Sequence, residues 1–243
     1  MSDDLRAGYD GYYKYDRAVA TSYDADRADE PQWWTEDRFV EEFFRQKKVA
    51  RLLDVPVGTG RFFRHYAGVA SVTAVDISDD MLAEARRRLP SLLSATKRVE
   101  HGDVFSLQFA DREFDTVLVW RFFHLIPDDL LQPAVAELCR VTAGELLVQT
   151  YALRAATPSA LTTWRKAVNK LNDWRPRLWA AFRTDAADAP AEASPWGHIR
   201  AYYRPQSAVD AAFARCGFAP SLTRALDDYP HCEVRATVYQ RTL

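Results

Sequence analysis

The sequence predicts an α/β domain with a parallel sheet covered by helices on both faces. Two observations predict it. Short apolar runs alternate with amphipathic ones between residues 50 and 150, and a glycine-bearing turn from Asp54 to Gly60 follows the first run. The length agrees, since 243 residues suit one large α/β domain and are few for two. A composition of 48% hydrophobic and 27% charged residues excludes a disordered chain or a fibrous repeat.

Taken in order, Arg51 to Val55 reads as a buried strand ending at Pro56 and Gly58, and Arg61 to Ala67 as a helix. Val72 to Asp76 is β-branched and reads as the second strand. Ser78-Asp79-Asp80 opens a helix with acids in its first turn and Arg86, Arg87 and Arg88 in its last, as the helix dipole prefers. A short strand surrounds Val99, and Phe114 to Trp120 is the fourth. Asp128 to Arg140 is a helix with Leu130, Leu131, Val135 and Leu138 on one side, and Glu145 to Tyr151 is the fifth strand. Residues 151–204 break the rhythm with Pro158, Pro176, Pro190 and Pro195 and an alanine-rich stretch. It resumes with a helix over Gln206 to Arg215, stopped at Cys216-Gly217, and with strands over Ser221 to Leu226 and Glu233 to Gln240.

Several classes are disfavoured. Apolar stretches such as Thr116 to Trp120 fall far short of the roughly 20 residues of a membrane helix. The acidic start, Met1-Ser2-Asp3-Asp4, is unlike a signal peptide. Cys139, Cys216 and Cys232 form no close pair in sequence, which argues for a reducing cytoplasm and against a disulfide framework or a zinc cluster. The net charge of −2 gives no global reason to expect nucleic acid. Charge is unevenly spread, however: residues 1–37 carry a net of −6 and residues 151–204 a net of +5, the latter with four of the seven tryptophans.

The sharpest local signal is Asp54-Val-Pro-Val-Gly58-Thr-Gly60 between a strand and a helix. Glycines let a ligand approach the backbone, and helix-start amides attract an anion. A phosphate-binding P-loop fails, because Gly60 is followed by Arg61-Phe62 rather than Lys-Ser/Thr. A dinucleotide fold wants a small residue three past the second glycine, where Phe63 stands. A ligand with an adenosine and a carboxylate but no pyrophosphate remains acceptable. Asp76, ending the second strand, suits vicinal ribose hydroxyls. Gly102-Asp103 follows the third strand and Phe114-Asp115 opens the fourth, although acids at strand ends also serve as helix caps.

In this order the residues resemble class I S-adenosylmethionine-dependent methyltransferases, over roughly 45–150 and 200–243, with Asp-x-Pro-x-Gly-Thr-Gly as a variant of the first motif. His124-Leu-Ile-Pro-Asp, Arg140-Val-Thr-Ala-Gly144 and Cys216-Gly217-Phe218 extend the likeness. The resemblance implies a doubly wound, Rossmann-like sheet of seven strands, one antiparallel, in a single domain over 1–243. It also implies S-adenosylmethionine as the cofactor and S-adenosylhomocysteine as its product, with no metal. The binding residues it implies are Asp54, Pro56, Gly58 and Gly60 of the first motif, Asp76 on the ribose, and Ile77 and Met81 on the adenine face. Gly102, Asp103 and Val104 would meet the adenine edge, and Trp120 and Tyr23 would complete the site.

The acceptor is expected to be a small molecule, of anionic or aromatic character, methylated on O or N rather than C. Residues 1–37 read as a cap and 151–204 as a lid, and their aromatic side chains would wall the pocket, Tyr13, Trp34, Tyr151 and Trp196 among them. Arg121 is expected to face a carboxylate or phosphate rather than the methyl group, because a cation beside a sulfonium opposes donor binding. His124 is the candidate base for a hydroxyl acceptor, while alignment alone can supply about 7–11 kcal/mol. Two alternatives stay open: an RNA or protein methyltransferase, and a non-catalytic S-adenosylmethionine-binding protein. The net charge, and the lack of an Asn/Asp-Pro-Pro-Tyr/Phe signature after the fourth strand, weigh against the first of these.

Overall fold

The computed structural model describes residues 17–92, 96–154, 201–229 and 232–242. Strand β1, Arg51–Asp54, lies at the middle of the sheet and pairs in parallel with β2, Ser71–Asp76, and with β4, Phe114–Val119. Leu52 and Leu53 are both fully buried although they point to opposite faces, as expected of a strand covered on both sides. β3, Thr96–His101, flanks β2, and β5, Thr142–Leu153, flanks β4, both in parallel. β7, Cys232–Arg241, is antiparallel to β5 and to β6, Phe218–Asp228. The order is β3-β2-β1-β4-β5-β7-β6, a Rossmann-like seven-stranded sheet with β7 reversed. The outer strands β3 and β6 carry exposed polar and charged residues, the usual protection of a sheet edge.

Each face has its own apolar layer. Leu53, Val75, Val117 and Leu146 pack with helix α4, Asp128–Val141, and helix α5, Gln206–Ala214. Leu52, Val72, Leu118 and Leu147 pack with helix α2, Pro31–Gln46, and helix α3, Asp79–Arg88. α3 starts as its sequence demands, with the Ser78 hydroxyl accepting the Met81 amide at 3.2 Å. The short helix α1, Arg17–Ser22, packs Val19 and Ala20 against Met81.

Two differences from the sequence reading matter for the site. Residues 61–67 form turns and a 3₁₀ turn, Phe63–His65, instead of an α-helix. Phe62, Phe63 and Tyr66 all drop into the core there, each against a different neighbour: Trp120, Gly60 and Asp54. The N-terminal boundary at residue 37 falls within α2, whose Pro31 start and buried Phe39, Val40, Phe43 and Phe44 bind it to the sheet.

Candidate active site

Sheet order decides where a ligand can go. The chain runs outward through β2 and β3 on one side of β1 and through β4 and β5 on the other. The crevice beyond the carboxyl ends of β1 and β4 is therefore the switch point where doubly wound sheets bind ligands. A cavity opens there, with about 890 Å³ of space that includes the solvent at its mouth.

Asp54 enters it from the end of β1, almost wholly buried, with the Tyr66 hydroxyl donating to Oδ2 at 2.7 Å. Burial pushes its carboxyl up to about 7; the Tyr66 hydrogen bond works against that rise and the neighbouring Asp76 charge adds to it. Asp76 enters from the end of β2. Its Oδ2 accepts the Gly58 amide at 2.8 Å and its Oδ1 the Ser78 amide at 2.9 Å. Burial raises its pKa as well, opposed by the amides of Ser78, Gly58 and Ile77. Gly58 sits at φ +56°, a conformation side chains rarely adopt, and this aims its amide at Asp76. Pro56, after a cis Val55–Pro56 bond, and Gly58 line the cavity. So do Ile77, Met81, Gly102, Asp103, Val104, Trp120 and Tyr23.

Four predicted residues stand elsewhere. Gly60 does not line the cavity: it sits at φ +73°, and a Cβ there would lie 2.7 Å from the Phe63 ring, so its smallness serves packing. Trp34 is 61% exposed and Trp33 faces the cavity in its place, because neighbours on a helix point about 100° apart. His124 also misses the lining, its ring centre 4.6 Å from that of Tyr151 and tilted 57° to it. In the 3₁₀ turn Phe123–Leu125, the residues that share a face with three-residue spacing are Phe122 and Leu125, and those two reach the cavity. Tyr151 lies beside the cavity, its hydroxyl accepting Gln32 Nε2 at 2.8 Å. Tyr13, Trp196 and nearly all of 151–204 lie outside the described residues; the exception is the two flanks. Those flanks meet at the end of β5, where the Leu153 amide donates to Arg204 O at 3.0 Å and Arg204 Nη2 to Ile126 O at 2.7 Å.

Arg121 reaches the cavity and faces a protein carboxylate there. Glu36 of α2, fully buried, takes Arg121 Nε at 3.1 Å and Arg61 Nη1 at 2.9 Å on the same oxygen. Gln32 Nε2 donates to the other oxygen at 2.5 Å. Burial opposes the Arg121 charge, but Glu36 outweighs it and holds the guanidinium well above its ordinary value. The Arg61 guanidinium also lies 3.3 Å from the Trp33 ring centre, a cation–π contact, and donates to Trp33 O. Sequence reasoning missed Trp33, Glu36 and Arg61 as a unit. The available signals were the i, i+3 spacing of Trp33 and Glu36 and the place of Arg61 directly after the glycine turn. The Thr59 hydroxyl of that turn donates to Asp24 at 3.0 Å, tying the segment after α1 across the site.

Comparison with known proteins agrees with this geometry. Residues 52–144 match the family model of a methyltransferase domain. The phosphatidylethanolamine N-methyltransferase of Cereibacter sphaeroides is 33% identical over 113 residues, 45% of this chain and 55% of that protein. The malonyl-[acyl-carrier protein] O-methyltransferase of Enterobacter lignolyticus is 34% identical over 121 residues, 49% of this chain and 45% of that protein. This chain thus spans about half the length of the curated relatives it matches. Among solved structures, magnesium protoporphyrin IX methyltransferase from Synechocystis PCC 6803 with bound SAM superposes with a TM-score of 0.62 at 14% identity. That match covers 100% of this chain and 99% of the other. A likeness at such low identity establishes the fold.

Proposed function

Since residues 52–144 match a methyltransferase domain and the sheet has the fold of such enzymes, we propose that this chain is a class I S-adenosylmethionine-dependent methyltransferase whose cavity binds S-adenosylmethionine and serves methyl transfer to a small-molecule acceptor. One observation carries this reading: Asp54, Gly58, Asp76 and Asp103, scattered over fifty residues of sequence, surround one cavity in the order the resemblance implies.

The residues fit the group. At the β1–β3 end the cavity presents carboxylates and apolar walls, suited to ribose hydroxyls, a purine and a positive charge. Phe63 occupies the place a dinucleotide fold keeps small, so pyrophosphate is disfavoured. Asp76 accepts the amides of Gly58, Ser78 and Ile77, and a carboxylate's roughly four lone-pair sites still leave room for a ribose hydroxyl. In this reading Asp103 and the Val104 amide meet the adenine edge and Ile77 and Met81 its face, supported by their all lining the cavity. Bound there, S-adenosylmethionine supplies an electrophilic methyl group on a sulfonium.

The protein's part is to bind, orient and exclude water, with Trp33, Trp120, Phe122 and Leu125 as the dry walls. With His124 turned to Tyr151, the reading rests the rate on alignment, which can supply about 7–11 kcal/mol. An O or N acceptor is supported by the relatives, one named an N- and one an O-methyltransferase. The test is calorimetry with S-adenosylmethionine and S-adenosylhomocysteine, then transfer of labelled methyl to amine and hydroxyl acceptors. Metal-free binding of both ligands and none of NAD is expected. A folded sample that binds neither at millimolar concentration overturns the reading, and binding without any labelled product favours a non-catalytic role.

A further inference from the structure

The cavity is electrically divided along the sheet. Its carboxylates, Asp54, Asp76 and Asp103, stand at the ends of β1, β2 and β3, and its two guanidiniums, Arg61 and Arg121, reach the Trp33 side. These two cations share the single buried carboxylate of Glu36. Glu30 lies 3.7 Å from Arg121 Nη2, beyond hydrogen-bonding distance, and is partly open to water. Arg121 Nη1 and Nη2 are buried without a hydrogen-bond partner. A buried guanidinium with two idle donors is costly unless something else takes them.

The backbone adds an independent observation. Arg121 sits at φ +52°, a left-handed conformation uncommon for a branched or long side chain, with its amide held by Gln149 Oε1 at 3.1 Å. The chain thus accepts local strain to bring this side chain over the end of β4.

Resting on the methyltransferase reading, we infer that Arg121 is an anion-holding residue of the cavity, its idle Nη1 and Nη2 gripping a carboxylate of a bound small molecule in two-pronged fashion. Glu36 offsets one of the two positive charges and the half-exposed Glu30 screens Arg121 further, so the pair is compatible with a sulfonium nearby while the Nη donors stay open to a ligand. The carboxylate has two sources, the amino-acid end of the donor or the acceptor.

Calorimetry on wild type, Arg121→Gln and Arg121→Lys separates them, with circular dichroism melts to verify folding. If the carboxylate is the donor's, wild type binds S-adenosylmethionine at least tenfold more tightly than decarboxylated S-adenosylmethionine, and Arg121→Gln erases the preference. If it is the acceptor's, Arg121→Gln binds both within about twofold of wild type. Benzoate titrated into protein saturated with S-adenosylhomocysteine then binds wild type at least tenfold more tightly than the variant. Arg121→Lys, which keeps the charge but not the fork, should lie between, and it carries the test if the glutamine variant does not fold. A folded variant matching wild type in both arms overturns the inference. Wild type that binds no S-adenosylmethionine overturns the methyltransferase reading instead, and benzoate binding to the free protein still tests Arg121.

Discussion

At the scale of the residue, Asp76 shapes the glycine turn through the amides of Gly58 and Ser78 while it faces the cavity. Asp76→Ala is expected to weaken S-adenosylmethionine binding by about 1–3 kcal/mol, the cost of leaving polar partners unpaired. Calorimetry checks this, and an unchanged affinity would place the ribose elsewhere. Asp54 sets a pH dependence. Its folded pKa of about 7 lies above the unfolded value of about 3.9. The native state therefore holds the proton more tightly. Stability from this group is full below about pH 4 and falls as pH rises toward 7, by on the order of 4 kcal/mol. Asp54→Asn should flatten that slope in denaturant titrations run between about pH 5 and pH 8. A variant with the wild-type slope would assign the pH dependence to another group. Both acids were legible in the sequence because strand ends and turn glycines are local signals. The Tyr66 bond that restrains Asp54 was not, since residues 61–67 read as a helix.

At the scale of the element, α2 is fastened to the sheet by apolar contacts on one stripe and by Glu36 at the cavity rim. Removing one member of a buried ionic cluster leaves charge uncompensated, which typically costs 3–5 kcal/mol. Glu36→Ala is therefore expected to lower the unfolding free energy by about that amount, read from the denaturant midpoint. A loss under about 1 kcal/mol would mean that water replaces the carboxylate and that α2 is held by its apolar stripe alone. The segment after β1 shows why a local pattern can mislead. Its aromatic residues at 62, 63 and 66 suggest helical spacing, yet each is claimed by a different neighbour: Phe62 by Trp120, Phe63 by Gly60, Tyr66 by Asp54 and Phe44. Tertiary contacts set the backbone there.

For the molecule as a whole, the cavity lining among the described residues runs from Tyr23 to Leu125. Replacing 157–195 with a short Gly/Ser linker is therefore expected to change donor affinity by less than about tenfold, or ~1.4 kcal/mol. The same replacement should abolish acceptor turnover if that segment selects the acceptor, as its position after β5 and its Trp- and Arg-rich composition propose. Calorimetry and labelled-methyl transfer on the same protein separate the two effects. A large loss of donor affinity in a folded variant would tie the segment to the donor site.

The sequence alone determined the strand and helix alternation, the glycine turn and the acids at the strand ends, because each depends on residues within a few positions of one another. Phe63, three places after Gly60, carries the expectation that a dinucleotide fits poorly, which is also a local signal. Tertiary structure alone decided which side chains meet. Trp33 rather than Trp34 faces the cavity because α2 docks in one rotational setting, and His124 turns to Tyr151 because a 3₁₀ turn presents Phe122 and Leu125 instead. Arg61, Glu36 and Arg121 converge only when the N-terminal helix, the first turn and the end of β4 are packed together. A buried charge finds its partner by proximity in space, and no spacing along the chain encodes that distance.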